Sequence, residues 1–419
     1  MQKLTFYSTI FILAFVWNTN AQNSDSTKTE DDGKLTVSGY VDAYYNWAFN
    51  KPYSGSLLGM GGAGRAFDRT VDQFSLGLVQ TKFTYSGSKY DIVADLTFGP
   101  NAELGNFGNV NNAAYSGGGI VGANLYQHPV FGNLYGTSAA IKQAYGTWKA
   151  TDKLSFTVGQ FGTHIGYEVI DAPVNYNYSL SNLFNNGPFY HVGAKVNYSI
   201  SDKMAAMVGL VNNWDNLFDN NKQKSLIAQY YVNPTDGWNL YLNYIGGAGD
   251  DGFFASAYPD LVYNRHLFDV TTGYQLTKKF YVGLNFAYGM YTPAGNEDTE
   301  DFFNSSITDS ASSKPDWGGV ALYSNYAIKD WLGVGFRYER FEDSYGVRYL
   351  GGAVGGAVNN SYTLTIPLTL ANGHFILKPE FRLDSSPQEI YEGKYDEDTG
   401  VGKPIKQQMT FGLASIFKF

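Results

Sequence analysis

The sequence predicts an all-β transmembrane antiparallel β-barrel of about 16 strands, with short periplasmic turns and long extracellular loops. Three observations predict it: an N-terminal export signal, period-two alternation through the rest of the chain, and connections that are short and long in turn. Alternation puts every second side chain on the same face of a strand. In an outer-membrane barrel one of those faces meets lipid and the other meets the lumen.

Residues 1–21 have the features of a signal peptide. Lys3 supplies a positive charge, an apolar stretch follows it, and Ala21 is a small residue at which cleavage is expected. An N-terminal membrane anchor is the alternative, and the shortness of the apolar stretch disfavours it. Residues 22–34 are rich in Ser, Thr and Asp and predict a disordered segment. The barrel domain is therefore expected at 35–419, in the cell outer membrane.

Composition excludes several classes of function. The 419 residues contain no cysteine, which removes disulfides, thiolate metal sites and cysteine nucleophiles. The net charge of −9 argues against a nucleic-acid partner, because phosphates need a basic surface. Only 44% of the residues are hydrophobic, which still permits a membrane barrel because only alternate strand residues face lipid.

Alternation of apolar and polar residues defines the predicted strands. Phe280 and Val282 share one face of such a segment, for example, while Tyr281 lies on the other. A change of phase near Leu78 and Val79 predicts a β-bulge. The predicted strands are 35–47, 71–85, 90–98, 139–149, 154–162, 189–200, 204–213, 224–232, 238–245, 267–275, 280–290, 317–327, 331–341, 361–370, 374–384 and 408–419.

The connections carry the strongest evidence for a barrel, because a soluble β-sandwich, the alternative fold, has no reason to alternate short and long ones. Loops 99–138 and 163–188 can each fold into the lumen or lie outside it, and the sequence does not decide between these.

The acidic clusters Glu297–Asp301 and Asp396–Asp398 lie in predicted loops. Neither cluster has the residue spacing of a known calcium-binding loop, so we expect both to be acidic loop segments exposed to solvent and without a bound ion.

Aromatic residues mark the predicted strand ends. All six Trp residues after the signal peptide lie near such an end: Trp47, Trp148, Trp214, Trp238, Trp317 and Trp331. Amphipathic rings favour the headgroup level of a bilayer, so the pattern predicts aromatic girdles, with the strand ends of a soluble sheet as the alternative. The chain ends in a strand, and its terminal Phe419 resembles the signal that barrel-assembly machinery reads.

Charged residues on the polar faces of the strands are the candidate pore-lining groups. They are Asp42, Lys195, Arg337, Glu339, Lys378, Glu380 and Arg382, together with Asp91, Asp95 and Asp269. A charge on the lipid face costs about 2–4 kcal/mol at the midplane, so the lumen is where these side chains are expected. Opposed acidic and basic rows could filter solutes, or the charges could form ion pairs that brace the wall. Sixteen strands enclose an aqueous channel, whereas eight are filled by side chains.

No catalytic or metal-binding candidate emerges. The five histidines are scattered without a His-Glu-x-x-His pair, and no Gly-x-Ser-x-Gly elbow occurs. We expect no enzyme activity, no metal and no cofactor. A barrel enzyme acting on lipid would need a nucleophile that the sequence does not mark.

Several short motifs resemble the OmpL-like β-barrel porin family. They are Gln143–Tyr145, Val158–Phe161, Gly166–Glu168, Asn175–Ser179, Gly187–Gly193 and Asn212–Asp215, with Ser38–Tyr45 and Lys378–Ser385. The resemblance covers most of the chain after the signal peptide and implies an outer-membrane barrel with porin activity and no catalytic residues. The family's usual Asn-Gly-Trp-Asp reads Asn-Asn-Trp-Asp here, at 212–215, which argues against a tight glycine turn at that point.

If loop 163–188 is the characteristic element of that family, its most distinctive polar residues are Glu168 and Asn175, together with the neighbouring His191. We expect them either to pack the loop into the barrel mouth or to line the path of the solute.

Two function hypotheses follow. The first is a porin for passive diffusion of small hydrophilic solutes, which must bind them weakly in order to release them. The second is a barrel plugged by its loops, which acts through its outer surface as an adhesin, a receptor or a scaffold for a surface complex. The expected partners are outer-membrane lipid and lipopolysaccharide, barrel-assembly machinery and, for a porin, the solutes. A homo-oligomer is possible, since many porins are trimers.

Overall fold

The computed structural model describes residues 33–62, 64–106, 140–217, 223–249, 263–293, 316–343, 346, 348 and 356–419. The predicted signal peptide and the acidic cluster Glu297–Asp301 lie outside the described residues. The first strand begins at Lys34, one residue before the predicted start of the barrel domain.

Strands account for most of the described residues. They are β1 (Lys34–Ala48), β2 (Phe74–Ser86), β3 (Tyr90–Phe98), β4 (Ile141–Lys149), β5 (Leu154–Gly162), β6 (Tyr190–Ser201), β7 (Met204–Val211), β8 (Ser225–Val232), β9 (Trp238–Gly249), β10 (Tyr263–Gln275), β11 (Phe280–Pro293), β12 (Asp316–Lys329), β13 (Leu332–Asp343), β14 (Ala357–Thr365), β15 (Leu368–Leu370), β16 (Phe375–Ser385), β17 (Tyr391–Tyr395), β18 (Gly402–Ile405) and β19 (Gln407–Lys418). Within the described residues, two short helices, α1 (Pro100–Gly105) and α2 (Asn182–Asn185), and two 3-10 turns, Met60–Gly62 and Ala371–Gly373, lie in the connections.

The wall of the barrel is one antiparallel sheet that closes on itself. Strands pair in chain order from β1 to β16, β19 follows β16, and β1 pairs with both β2 and β19. Because β14 and β15 share the neighbours β13 and β16, they form one interrupted strand, and the described residues build sixteen wall strands. The interruption falls at Pro367, which has no N–H to donate to a ladder.

The predicted fold is therefore confirmed: a closed antiparallel barrel of sixteen strands, with short turns at one end and long loops at the other. We call these ends the turn end and the loop end. Two strands begin four residues earlier than predicted, β10 at Tyr263 and β14 at Ala357. Both continue the backbone pairing beyond the point where apolar and polar residues alternate, and pairing does not require alternation. The predicted loop 385–407 contains the hairpin β17–β18, with Asp396–Asp398 near its largely exposed tip.

The predicted bulge is present in β2. Gly77 and Leu78 together stand opposite Asp42 of β1, so the phase of alternation changes there. The backbone N–H of Leu78 donates to Oδ1 of Asp42 at 2.8 Å. A Cβ on Gly77 would lie 2.0 Å from Oδ2 of the same carboxylate, so only glycine leaves room for it.

The outer face of the wall is apolar, as a lipid-facing surface requires. Its exposed side chains include Ile92, Val158, Leu242, Phe286, Leu322 and Leu413. Phe419 lies on this face and is 65% exposed, and its backbone exchanges hydrogen bonds with Gly39 where the barrel closes. Among the described residues, no helix is long and apolar enough to cross a membrane.

Four Trp side chains are exposed at strand ends on the outer face, where girdles are expected: Trp47, Trp148, Trp238 and Trp331. The girdle prediction is wrong for Trp214 and Trp317, which are 5% and 3% exposed and pack in the interior. There the guanidinium carbon of Arg265 lies 3.9 Å from the centre of the Trp214 ring. A desolvated cation over a Trp face is favourable, so Trp214 has a partner in the interior. Trp317 packs against Trp214 and Tyr291, with ring centres 6.2 and 5.2 Å away.

Candidate functional site: the lumen and its third loop

The third long loop, residues 163–189, lies inside the barrel. It leaves β5, makes contacts with the far wall, contains α2, and returns to β6. Many of its polar side chains, and backbone groups at several positions, bond to inward-facing residues of the wall. The question that the sequence left open for loop 163–188 is thus answered: this loop folds inward.

Glu168 and Arg337 form the central ion pair of this arrangement. One carboxylate oxygen of Glu168 accepts from the guanidinium of Arg337, and the other accepts from the N–H of Ser181 at 2.7 Å. Arg337 also donates to the backbone oxygen of Ser179 at 2.7 Å. Both charged side chains are almost fully buried, so their pairing offsets part of the cost of taking each charge out of water. The pair joins the two ends of the loop to strand β13.

Glu339, two residues along β13, holds the start of α2. Its carboxylate accepts from the backbone N–H groups of Asn182 and Leu183, each at 2.8 Å. Ser181 caps the same helix, because its hydroxyl accepts from the N–H of Phe184. A carboxylate on unpaired helix N–H groups is favourable, and here the wall supplies it.

Glu380 and Asp42 hold the segment before the helix. Glu380 accepts from the backbone N–H groups of Tyr178 and Ser179, at 2.7 and 3.1 Å, and from the hydroxyl of Thr365. The phenol of Tyr178 donates to Asp42 at 2.6 Å. Charged groups of two wall strands, β16 and β1, therefore bind the same turn of the third loop.

The cations of β16 bind carbonyl oxygens of the loop. The ammonium of Lys378 donates to the backbone oxygens of Ala172 and Asn175. Arg382 donates to the backbone oxygen of Leu180 at 2.8 Å and to the carboxylate of Asp384. Along β16 the inward positions thus alternate in charge, and each charge has a defined acceptor or donor.

The first part of the loop is held by other strands. The N–H of Gly166 donates to Asp269 of β10 at 3.1 Å. Asp171, near the middle, accepts from the ammonium of Lys142 on β4, which lies 3.5 Å from Asp95 on β3. Contacts to β1, β4, β10, β13 and β16 place the loop across the lumen rather than along one side.

Four other residues highlighted by the sequence lie apart from one another. Asn175 is within the third loop, and its amide bonds to the backbone of Val169 in both directions. His191 of β6 is fully buried, with one ring nitrogen 3.0 Å from the hydroxyl of Thr163 and the other 3.2 Å from the backbone oxygen of Asn213. Lys195 of β6 faces the lumen away from the ion pairs, with its ammonium 4.3 Å from the centre of the Phe161 ring. Asp91 pairs with Lys149 near the turn end.

The first and second loops add to the filling of the loop end. Arg65 of the first loop (residues 49–73) pairs with Asp68 at 2.7 Å and approaches Asp384 at 3.5 Å. Phe67 packs with Leu104 of α1 and with Leu180 of the third loop. Helix α1 belongs to the predicted loop 99–138, of which residues 107–138 lie outside the described part of the chain.

The turn half of the lumen is more open. Inward side chains there are partly exposed, whereas the inward positions at the level of the third loop are buried. Three residues of the third loop are exposed toward this turn-side vestibule: Val169, Val174 and Tyr176, at 40%, 69% and 40%. The third loop therefore separates the open turn-side vestibule from the filled loop end of the lumen.

Several residues that hold the loops to the wall of the barrel were not identified from the sequence. Asp384 occupies the next inward position after Arg382, so its alternation was a signal that could have found it. Arg65, Asp171 and Tyr178 lie in loops, where no period marks the direction of a side chain, and only the folded loops bring them to the wall.

The comparisons with known proteins agree with this architecture. Residues 34–419 match the family described as "Putative beta-barrel porin-2, OmpL-like". The chain belongs to this family. The match starts at the first residue of β1 and runs to the last residue of the chain, so it covers the whole wall. The family resemblance noted in the sequence is therefore confirmed. Among curated proteins none matches the chain.

Solved structures of outer-membrane porins share the fold. The trimer form of OmpT of Vibrio cholerae superposes with a TM-score of 0.54 at 11% identity, over 92% of this chain and 99% of that one. The outer membrane channel DcaP of Acinetobacter baumannii gives 0.55 at 12% identity, over 92% and 97%. An anion-selective porin from Comamonas acidovorans gives 0.53 at 10% identity, over 93% and 100%. The OmpL-like barrel described above is thus porin-like in architecture as well as in family.

Proposed function

We propose that this barrel is an outer-membrane porin, through which small hydrophilic solutes diffuse passively past a constriction made by the third loop. The observation that supports it most is the closed sixteen-strand wall with a polar interior and one loop folded across it. A wall of this size encloses room for water, and charges on its inner face avoid the cost of facing lipid. The long loops would then face the cell exterior and the turns the periplasm.

The charged rows have a defined place in this proposal. Arg337, Glu339 and Glu380 are each bound to the third loop, so they would set the position of the constriction rather than meet the solute. Lys195 and the partly exposed turn-side positions would meet it instead. The two hypotheses for the lumen charges would then apply to different residues: Lys195 would help to select solutes, whereas Arg337, Glu339 and Glu380 would stabilise the loop and the wall.

A plugged barrel that acts through its outer loops is the second candidate. The observation in its favour is the extent of burial at the loop end, where the first, second and third loops pack together around Phe67 and Leu180. If that packing persists in the membrane, solutes have no route, and the exposed hairpin β17–β18 and the neighbouring loops become the functional surface.

Single-channel conductance in planar bilayers distinguishes the two candidates. The detergent-purified protein is first shown to be a folded barrel by a gel mobility that changes on boiling. Discrete, reproducible steps support the porin, and the reversal potential in a salt gradient then gives its ion selectivity. Folded protein that gives no steps contradicts the porin and favours the plugged barrel.

The remaining expectations are also proposals. The exposed apolar band would contact outer-membrane lipid and lipopolysaccharide, and Phe419 would be read by barrel-assembly machinery. Self-association is proposed because the OmpT structure above is described as a trimer. Chemical cross-linking in mild detergent tests it, and a single monomeric species would contradict it. No reaction is proposed, and the family is one of porin-like barrels.

A further inference from the structure

Four tyrosine side chains, in two contacting pairs, lie along the wall of the turn-side vestibule. They are Tyr231 of β8, Tyr241 of β9, Tyr281 of β11 and Tyr176 of the third loop, and we call them the tyrosine strip. The first three occupy inward positions of their strands and are partly exposed. Tyr176 is 40% exposed. None of the four is needed to bind the third loop to the charged rows.

Within each pair the rings lie close together. The centroids of Tyr231 and Tyr241 lie 4.8 Å apart, and those of Tyr281 and Tyr176 lie 5.8 Å apart. Gly273 of β10 connects the two pairs, because the hydroxyl end of Tyr281 lies over Gly273 while Tyr241 pairs with the nearby Thr271. The strip thus runs from the turn end of β8 and β9 to the tip of the third loop.

Glycines let the rings lie against the wall. A Cβ on Gly273 would lie 1.8 Å from the Tyr281 hydroxyl and 2.6 Å from its Cζ, so a side chain there would push the ring away. Gly283 opposite makes the same room for Tyr167, whose hydroxyl donates to that of Tyr281 at 3.0 Å. Tyr167 in turn stacks on Tyr323 at 4.2 Å. The position of the Tyr281 ring is therefore fixed from behind and from its hydroxyl end.

The strip presents ring faces together with hydroxyl groups. Among the described residues, the hydroxyls of Tyr176 and Tyr241 have no hydrogen-bond partner and are free for a solute, while that of Tyr231 donates to Asn239 at 2.8 Å. An aromatic ring offers a large, rigid apolar face with a polar tip. Pyranose sugars have the complementary surface, since their C–H groups form an apolar face and their hydroxyls a polar rim. A succession of neutral rings suits a chain of sugar units better than a single charged solute.

We propose that the tyrosine strip is a binding track for neutral saccharides, and in particular for linear oligosaccharides, inside the lumen. This deepens the proposed porin function by naming a solute class, and it rests on that function only for passage, not for binding. A pore must release what it admits, so we expect weak binding at each ring. Oligosaccharides would bind more tightly than monosaccharides because they contact several rings at once.

Calorimetric titration with maltohexaose tests the proposal without requiring an open pore. The whole protein is used, folded in an amine-oxide detergent, because maltoside detergents carry the same sugar unit. The expected result is saturable binding of maltohexaose, weaker for glucose. Tyr241→Ala should lower the affinity about tenfold, which is at the low end of the cost of losing an aromatic ring on which a nucleobase stacks. Tyr241→Phe keeps the ring and should stay within about threefold.

Two controls keep the outcome decisive. Tyr230→Ala removes an exposed tyrosine from the outer face of β8, next to Tyr231, and should leave maltohexaose binding unchanged. If Tyr241→Ala fails to show heat-modifiable mobility, Tyr231→Ala replaces it with the same expectation. No binding by the wild-type protein overturns the proposal, and so does equal binding by the wild type and the folded alanine variant, or saturable binding of benzoate in place of the sugar.

Conductance separates this proposal from the porin function. If the protein binds maltohexaose but gives no channel steps, the saccharide-binding proposal is supported and the porin function is contradicted. Channel steps that maltohexaose does not reduce, together with no calorimetric binding, would leave the porin in place and overturn the strip.

Discussion

Glu168 and Arg337 form an ion pair across the interior of the barrel, although 169 positions separate them in the sequence. The pair ties the third loop to β13, and Arg337 also holds the backbone oxygen of Ser179. Forming a buried ion pair has a desolvation cost. Removing one partner is strongly destabilising, because the remaining charge is buried without its counterion. This pair is therefore the contact whose loss should move the loop most.

Replacing Glu168 with Ala should loosen the third loop and raise single-channel conductance. The variant removes the carboxylate that pairs directly with the buried Arg337, and breaking a buried pair typically costs about 3–5 kcal/mol. Heat-modifiable gel mobility should also change at a lower temperature. Glu342→Ala is the control, since Glu342 pairs with Arg340 on the exposed surface, where a pair contributes about 0–1 kcal/mol. Unchanged conductance and thermal stability in Glu168→Ala would contradict the role given to the pair.

A single cysteine at Val174 should report whether the third loop borders the solute path. The natural chain has no cysteine, so the introduced thiol is the only target for a charged methanethiosulfonate. Val174 is 69% exposed toward the turn-side vestibule, and a charge added there should change conductance and ion selectivity within one recording. Modification reaching the thiol from the turn side faster than from the loop side is expected, because the loops cover the other entrance.

Val158→Cys provides the matched control for that experiment. Val158 is 63% exposed but lies on the lipid face of β5, so its modification should not alter the current. A current that responds equally at both positions, or at neither in an open channel, would refute the placement of the third loop.

Gly77→Ala should impair folding through the bulge in β2. The added Cβ would lie 2.0 Å from Oδ2 of Asp42, and the carboxylate has little freedom because it also accepts from Leu78 and Tyr178. A lower yield of heat-modifiable barrel is the expected result. The double variant Gly77→Ala with Asp42→Gly removes the clash and should recover part of the yield. Equal yields for wild type and Gly77→Ala would show that the bulge accommodates a Cβ at this position and would contradict the prediction.

Asp215, in the loop between β7 and β8, predicts a pH dependence. Its Oδ1 accepts from the N–H groups of Phe189 and Tyr190, but burial is the larger effect and raises the pKa of the carboxyl from 3.8 to about 6. A raised pKa means that the folded state binds the proton more tightly, so this contribution to stability is present below pH about 4 and lost as pH rises through about 6.

Unfolding by guanidinium at several pH values tests this, with Trp fluorescence as the signal. The free energy of unfolding of the wild type should fall between pH about 4 and 7, relative to that of Asp215→Asn, which does not titrate. Parallel pH profiles for the two proteins would show that Asp215 titrates in the folded barrel as it does in the unfolded chain.

Much of the wall could be predicted from the sequence because each strand signals its own faces. In β16 the charged positions Lys378, Glu380 and Arg382 alternate with apolar ones, and alternation alone places them inward. Length and composition of the connections then gave the two ends of the barrel. The predicted starts of β10 and β14 were each four residues late, because pairing begins at Tyr263 and Ala357 without an apolar face.

The interior could not be predicted in the same way. Trp214 and Trp317 lie near strand ends like the girdle residues, but their burial with Arg265 depends on how the mouth packs. The tyrosine strip likewise draws on four segments of the chain, and the distance between its two pairs depends on the register that places Tyr241 opposite Thr271, two residues from Gly273. No local pattern specifies such a register between strands distant in the sequence.

The sequence by itself determined the number of strands, their inward and outward faces and the alternation of turns and loops, since these follow from period-two patterning within each segment. Only the tertiary structure decided that the third loop crosses the lumen and that Arg337, Glu339 and Glu380 hold it. The physical reason is that loop backbone has no period. Where its N–H and C=O groups find partners is set by the charges that the closed wall brings around them.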